Sequence, residues 1–353
     1  MAHSTSSLPV KRSKLRLPAL FARDTQLFGW QGLSLTVPAN WSLTSFGGDA
    51  AAGHARVDDE DGPRLELRWE QPKGAVDVER SIEAFLARLE REAKKKQQQF
   101  AIAAHPHLVS KSRKRKDQLV NYGWTGDPEE NTNQQGWGVA WHCNDCNRIM
   151  VAHIIGRGHE PEDKVQRLAS EVLSSLECHG HGGWQTWSLF ELQLEIPEEF
   201  VLGTAKLMTG RIEIDWQRVL KGKFPLNHLP ALHRLERVSL RRLAAANVLL
   251  ESETLEEWTT RVIGRGNQRY ALGQSVAAET HGHAGFVLHG APRDLRRRIV
   301  TWGGDLIRRR RTPLVEARVW HCEESNKIFV LECEMTLANV HVGADVLDSL
   351  KCH

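Results

Sequence analysis

No stretch of this chain approaches the 18 or so uninterrupted apolar residues that a membrane-crossing helix requires. Six cysteines in 353 residues are too few for a disulfide scaffold. Net charge is only +3, so no global field draws the protein onto nucleic acid. A signal-peptide core is also missing. Lys11, Arg12, Lys14 and Arg16 are followed by a stretch, Leu17 to Trp30, that holds Arg23 and Asp24 and is too polar for that role. The expected compartment is therefore the cytoplasm, where cysteines are thiols or metal ligands. Catalytic signatures are scarce as well. No Gly-x-Ser-x-Gly elbow occurs, and Gly264-Arg265-Gly266 runs into Asn267 and Gln268 rather than a phosphate-binding Gly-Lys-Ser or Gly-Lys-Thr. With no general acid/base pair in view, the expectation is a protein that is not an enzyme.

What the chain does contain is a repeat. Trp141-His142-Cys143-Asn144-Asp145-Cys146-Asn147-Arg148-Ile149 returns as Trp320-His321-Cys322-Glu323-Glu324-Ser325-Asn326-Lys327-Ile328. The tail Val172 to His179 returns as Val346 to His353. The opening strand Gly32 to Pro38, alternating at a period of two, has its partner in Phe190 to Pro197. Arg64 to Trp69 aligns with Arg211 to Trp216. These matches predict a leader over 1–25, a first repeat over 26–179 and a second over 184–353, with an insertion near 220–280.

Within the first repeat, Ile82, Phe85, Leu86, Leu89 and Ala93 fall at helical spacing behind Ser81, a plausible N-cap. Asn144-Asp145 supplies turn chemistry between two strands, and residues 161–176 form a second helix. In the second repeat Leu232, Leu235, Ser239 and Leu243 suggest a weaker helical stripe among arginines, and Thr254 to Val262 suggest another helix. The fold class expected is α+β: two tandem repeats, each an antiparallel sheet flanked by helices.

That order of elements resembles the PsbP-like fold, carried by the strand with proline and aromatic (Leu33 to Trp41, Leu192 to Phe200) and by the helix running into a short strand (Val172 to Cys178, Val346 to Cys352). The fold is shared by an extrinsic subunit of photosystem II, a Ran-binding nuclear import factor and bacterial chaperones of secretion effectors. The resemblance implies a binding module and transfers no catalytic residue. The leading expectation is a scaffold or adaptor for a protein partner, with no cofactor.

Two alternatives rest on the residues themselves. Cys143 and Cys146 form a Cys-x-x-Cys knuckle able to fill two corners of a zinc tetrahedron, and Cys178 with His179 or His181 can supply the rest if the closing strand ends beside that turn. The repeat filters this idea, because Cys146 aligns with Ser325. Only Trp-His-Cys and Cys-His recur, so a second site would draw on His321, Cys322, Cys352 and His353. Neighbours on a strand face opposite sides, which argues against His142 and Cys143 sharing an ion. The other alternative is nucleic-acid binding through basic runs that include Lys114, Arg115 and Lys116 and Arg308, Arg309 and Arg310. The pairs His105/His107 and His281/His283 read as ordinary histidines. Trp69/Trp216 and Trp141/Trp320 read as core, while Trp30, Trp184 and Trp187 are candidates for a contact surface.

Overall fold

The computed structural model describes residues 25–103, 106–110, 116–126, 135–220, 234–293 and 314–352. The chain divides into two compact units, Met1–Phe190 and Glu191–His353.

In the first unit, β1 (Thr25–Trp30) pairs antiparallel with both β2 (Leu33–Pro38) and β10 (Trp184–Leu189). A larger antiparallel sheet runs in the order β3 (Ser42–Gly48), β4 (Ala52–Asp59), β5 (Gly62–Glu70), β9 (Arg148–Gly156), β8 (Gln135–Cys143), β7 (Lys116–Gly126), β6 (Phe100–Ile102). Residues of β8 are buried along nearly its whole length, since helices cover the sheet there. Helix α1 (Val78–Lys95) lays Val78, Ile82 and Leu86 against Tyr122 and Ala140. Its N-cap is Asp77, whose carboxylate accepts the Arg80 N–H at 3.0 Å, four residues ahead of the expected Ser81. Helix α2 (Glu162–Ser174) buries Val165, Ala169, Val172 and Leu173 on β8 and β9. Tight aromatic packing sets the spacing of β7 and β8. A Cβ on Gly138 would lie 2.4 Å from the Tyr122 ring and 2.7 Å from the Ala152 carbonyl oxygen, so only glycine fits.

In the second unit the order is β12 (Val201–Met208), β13 (Arg211–Leu220), β14 (Arg234–Ala244), β19 (Lys327–Met335), β18 (Leu314–Cys322), β17 (His283–Pro292), β15 (Tyr270–Leu272), with β16 (Val276–Thr280) also on β17. Its apolar core gathers Ala246, Trp258, Ile263, Leu288, Val319 and Val330. The helices are short: α3 (Ala246–Leu249), α4 (Leu255–Trp258) running into a π-helical turn (Thr259–Arg265), and α5 (Val340–Ser349). Thr254 opens α4 with a reciprocal capping box to Glu257.

The α+β expectation, each half an antiparallel sheet flanked by helices on the PsbP-like plan, is overturned. Of the described residues, 52% are strand and 21% helix, and three antiparallel sheets dominate. One cause is the segment read as a helical stripe around Leu235, Ser239 and Leu243. It is β14, paired on both sides along its length. Its arginines are strand residues with cross-strand partners, such as Arg241 with Glu332 at 2.9 Å. The alignment of Arg64–Trp69 with Arg211–Trp216 also shifts: β5 lies directly beside β9, whereas β14 separates β13 from β19.

Candidate metal centre

The antiparallel ladder of β8 and β9 closes at Cys143 opposite Arg148, and residues 144–147 make the turn. Asn147 takes the left-handed conformation (φ 49°) that brings the chain back into β9, a conformation asparagine tolerates better than most residues. This places Cys143 at the strand end and Cys146 in the turn. The other two ligands arrive from α2. After the helix ends, Glu177 forms a two-hydrogen-bond bridge with Ser34 of β2 (2.8 and 3.0 Å), which fixes the chain that carries Cys178 and His179. Arg148, almost fully buried, ties the parts together by donating to the carbonyls of Gln31 (3.0 Å) and Cys178 (3.3 Å).

The outcome is a cluster in which one ligand atom each from Cys143, Cys146, Cys178 and His179 lies within 4.8 Å of all the others. Cys146 Sγ is 3.9 Å from Cys178 Sγ, and His179 Nδ1 is 3.6 Å from Cys143 Sγ and 3.5 Å from Cys178 Sγ. A tetrahedral zinc with Zn–S of about 2.3 Å and Zn–N of about 2.0–2.1 Å has S···S edges of about 3.8 Å and S···N edges of about 3.6 Å. The three distances match those edges. The other face of the His179 ring is also provided for: Nε2 lies 3.8 Å from the Asp145 carboxylate, the kind of partner that orients a metal-bound imidazole.

Electrostatics divide the thiols. The contact with Cys178 holds the Cys146 thiol far below its ordinary value, helped by His179, Cys143 and the Arg148 charge. The same contact, with burial, drives Cys178 up, and burial raises Cys143. His179 is raised by its contact with Cys146. Without an ion, the cluster favours a thiolate at Cys146 facing a His179 ring that holds its proton more tightly, so zinc binding here releases protons from His179, Cys143 and Cys178.

Other sequence candidates fare differently. His142 points away from the cluster, its Nε2 3.0 Å from Asn147 Oδ1, as strand alternation requires. Lys114, Arg115, Arg308, Arg309 and Arg310 lie outside the described residues, as do residues 1–24, His105 and His353; Lys116 begins β7. Trp30 and Trp187, proposed for a contact surface, are instead fully buried with rings 5.0 Å apart in an edge arrangement. In the second unit Cys322 and Cys352, two of the donors expected there, converge within 4.8 Å, but the histidine that joins them is His283 and not His321. The second unit further holds a polar cavity of about 310 Å³ lined by Asp215, Ser239, Arg241, Asn267, Arg269 and Glu332. Its charges are matched internally, Arg269 to Asp215 and Arg241 to Glu332, both at 2.9 Å.

No family model matches the chain, and no curated protein matches it. Among solved structures it is similar to the immunity protein TplEi of the T6SS from Pseudomonas aeruginosa, in its apo form and complexed with an "L" peptide. Each is 12% identical with a TM-score of 0.32; the matches cover 93% of this chain and 96% and 97% of those chains. Neither match places the chain in the PsbP-like family. Among the described residues no helix is long and apolar enough to cross a membrane.

Proposed function

We propose that the protein is a non-enzymatic zinc-binding module whose first unit is held together by a structural site made of Cys143, Cys146, Cys178 and His179. The observation that carries this reading is the set of 3.5, 3.6 and 3.9 Å separations among donors drawn from a hairpin turn and a helix exit. Four protein donors close the coordination sphere, which is the pattern of structural rather than catalytic zinc. Bound metal ties the β8–β9 turn to the segment that follows α2.

Metal analysis of the purified full chain, alongside Cys146→Ser and Cys178→Ser variants, tests it. The expected result is zinc that both substitutions remove from this site, with a melting temperature that falls on chelation. Zinc below about half an equivalent, with melting unchanged by a chelator, overturns the reading.

The role served by such a scaffold, in the same proposal, is binding a protein partner. What supports it is β12, which ends the order of described strands in the second unit's sheet and exposes Val201 and Met208 to solvent. An edge strand with open backbone groups and apolar side chains suits strand addition by a partner. Val201→Lys with Met208→Lys should abolish capture of that partner by the full chain without changing its zinc content. Capture that survives both substitutions rejects β12 as the surface.

A further inference from the structure

Two cysteines of each unit are placed by the same devices. Cys143 ends β8 opposite Arg148, and Cys322 ends β18 opposite Lys327, each before a turn closed by a left-handed asparagine, Asn147 or Asn326. Cys178 follows Glu177, which bridges to Ser34. Cys352 follows Lys351, whose N–H donates to the Gln193 carbonyl at 2.8 Å in a bridge to β11 (Leu192–Pro197). The remaining two donors differ. The turn position of Cys146 carries Ser325, a poor zinc ligand.

The compensation comes from the neighbouring strand. In the first unit Lys116 of β7 pairs with Cys143. In the second, Gly285 of β17 pairs with Trp320, and the antiparallel register carried two residues further sets His283 beside Cys322. The His283 Nε2 to Cys352 Sγ distance is 3.5 Å, again the S···N edge of a zinc tetrahedron of about 3.6 Å. Cys322 and Cys352 are buried, and His283 is half-buried.

We propose that the second unit carries a metal site of its own, in which His283, Cys322 and Cys352 hold a zinc ion. Two thiolates and one imidazole select a soft or borderline cation over magnesium or calcium. Among the described residues no other cysteine, histidine or carboxylate joins this cluster.

The inference stands apart from the first site, and the test separates them. Zinc stoichiometry is measured on the full chain, on Cys146→Ser, on His283→Ala and on the double variant. The serine substitution copies what the second unit already carries at Ser325, and His283 is not a core residue, so both variants should fold; circular dichroism checks this. Two zinc ions per chain are expected, one in each single variant and none in the double variant. If His283→Ala retains the wild-type stoichiometry, the second site is overturned while the first stands. If Cys146→Ser alone retains it and His283→Ala loses one ion, the first fails and the second stands.

Discussion

The Sγ atoms of Cys146 and Cys178 lie 3.9 Å apart, although the two residues are 32 positions distant in the chain. One sits in a turn and the other beyond the end of α2, so their approach reports the docking of that helix on the β8–β9 hairpin. Removing either thiol should leave the secondary structure in place and loosen the α2 exit. In Cys178→Ser, amide exchange should rise at Ser175 to His179 and around residues 144–147, with the rest of the sheet protected as before. Protection unchanged at both places would show that the cluster does not restrain them.

The Asp59 carboxylate sits among Arg64 (2.7 Å), Arg157 and the Asp61 N–H. Burial works against its ionised form, but these hydrogen bonds prevail and lower it to about 2 from an ordinary 3.8. A depressed folded value means that the stabilisation is present above the unfolded value and is lost as pH falls from about 4 towards 2. Urea midpoints should therefore drop over that interval, and Asp59→Asn should flatten the drop. A variant with the wild-type pH slope would assign the acid sensitivity elsewhere.

Glu236 is fully buried, and its Oε1 accepts from the Thr336 N–H (2.9 Å), the Thr336 hydroxyl (2.6 Å) and the Asn339 amide (2.8 Å), while Arg218 pairs with Oε2. Glu236→Ala leaves Arg218 its longer contact to Glu199 (3.4 Å) and unpins the start of the short helical stretch before α5. The expected loss is about 3–5 kcal/mol in chemical denaturation. A loss below about 1 kcal/mol would mean that water replaces the carboxylate.

Gly138→Ala should destabilise the first unit by about 1–3 kcal/mol. The added methyl meets both a ring, which can tilt, and the Ala152 carbonyl of the adjacent strand, which cannot. A melting temperature equal to wild type would show that the ladder between β8 and β9 yields locally.

The first cluster was legible in the sequence because its cues are local: a two-residue gap between cysteines across a turn, and a closing Cys-His pair after a helix. The exclusion of His142 followed from strand alternation alone. His283 was not legible, since its role depends on the register of β17 against β18, which no spacing within either segment encodes. The helical reading around Leu235, Ser239 and Leu243 failed for a related reason. The outer members of that stretch are charged, and Arg241 finds its counter-charge, Glu332, on the adjacent strand, which hides the two-residue period of β14. Trp30 and Trp187 precede the strands legible in the sequence, Gly32 to Pro38 and Phe190 to Pro197, and so read as exposed; they lie instead within β1 and β10, whose pairing brings their rings together.

The hairpin turn and the helix exit contribute unequally to the fate of a bound ion. Cys143 and Cys146 stay close to each other whenever the turn is formed, so an ion held as proposed would be gripped there first and enclosed once Glu177 has joined Ser34. Its departure would run the same path in reverse. Its lifetime would then be governed by how often the last turn of α2 lifts from β2, a local opening rather than global unfolding. Ser175, whose Oγ accepts the Thr36 N–H at 2.9 Å, is the latch on that opening.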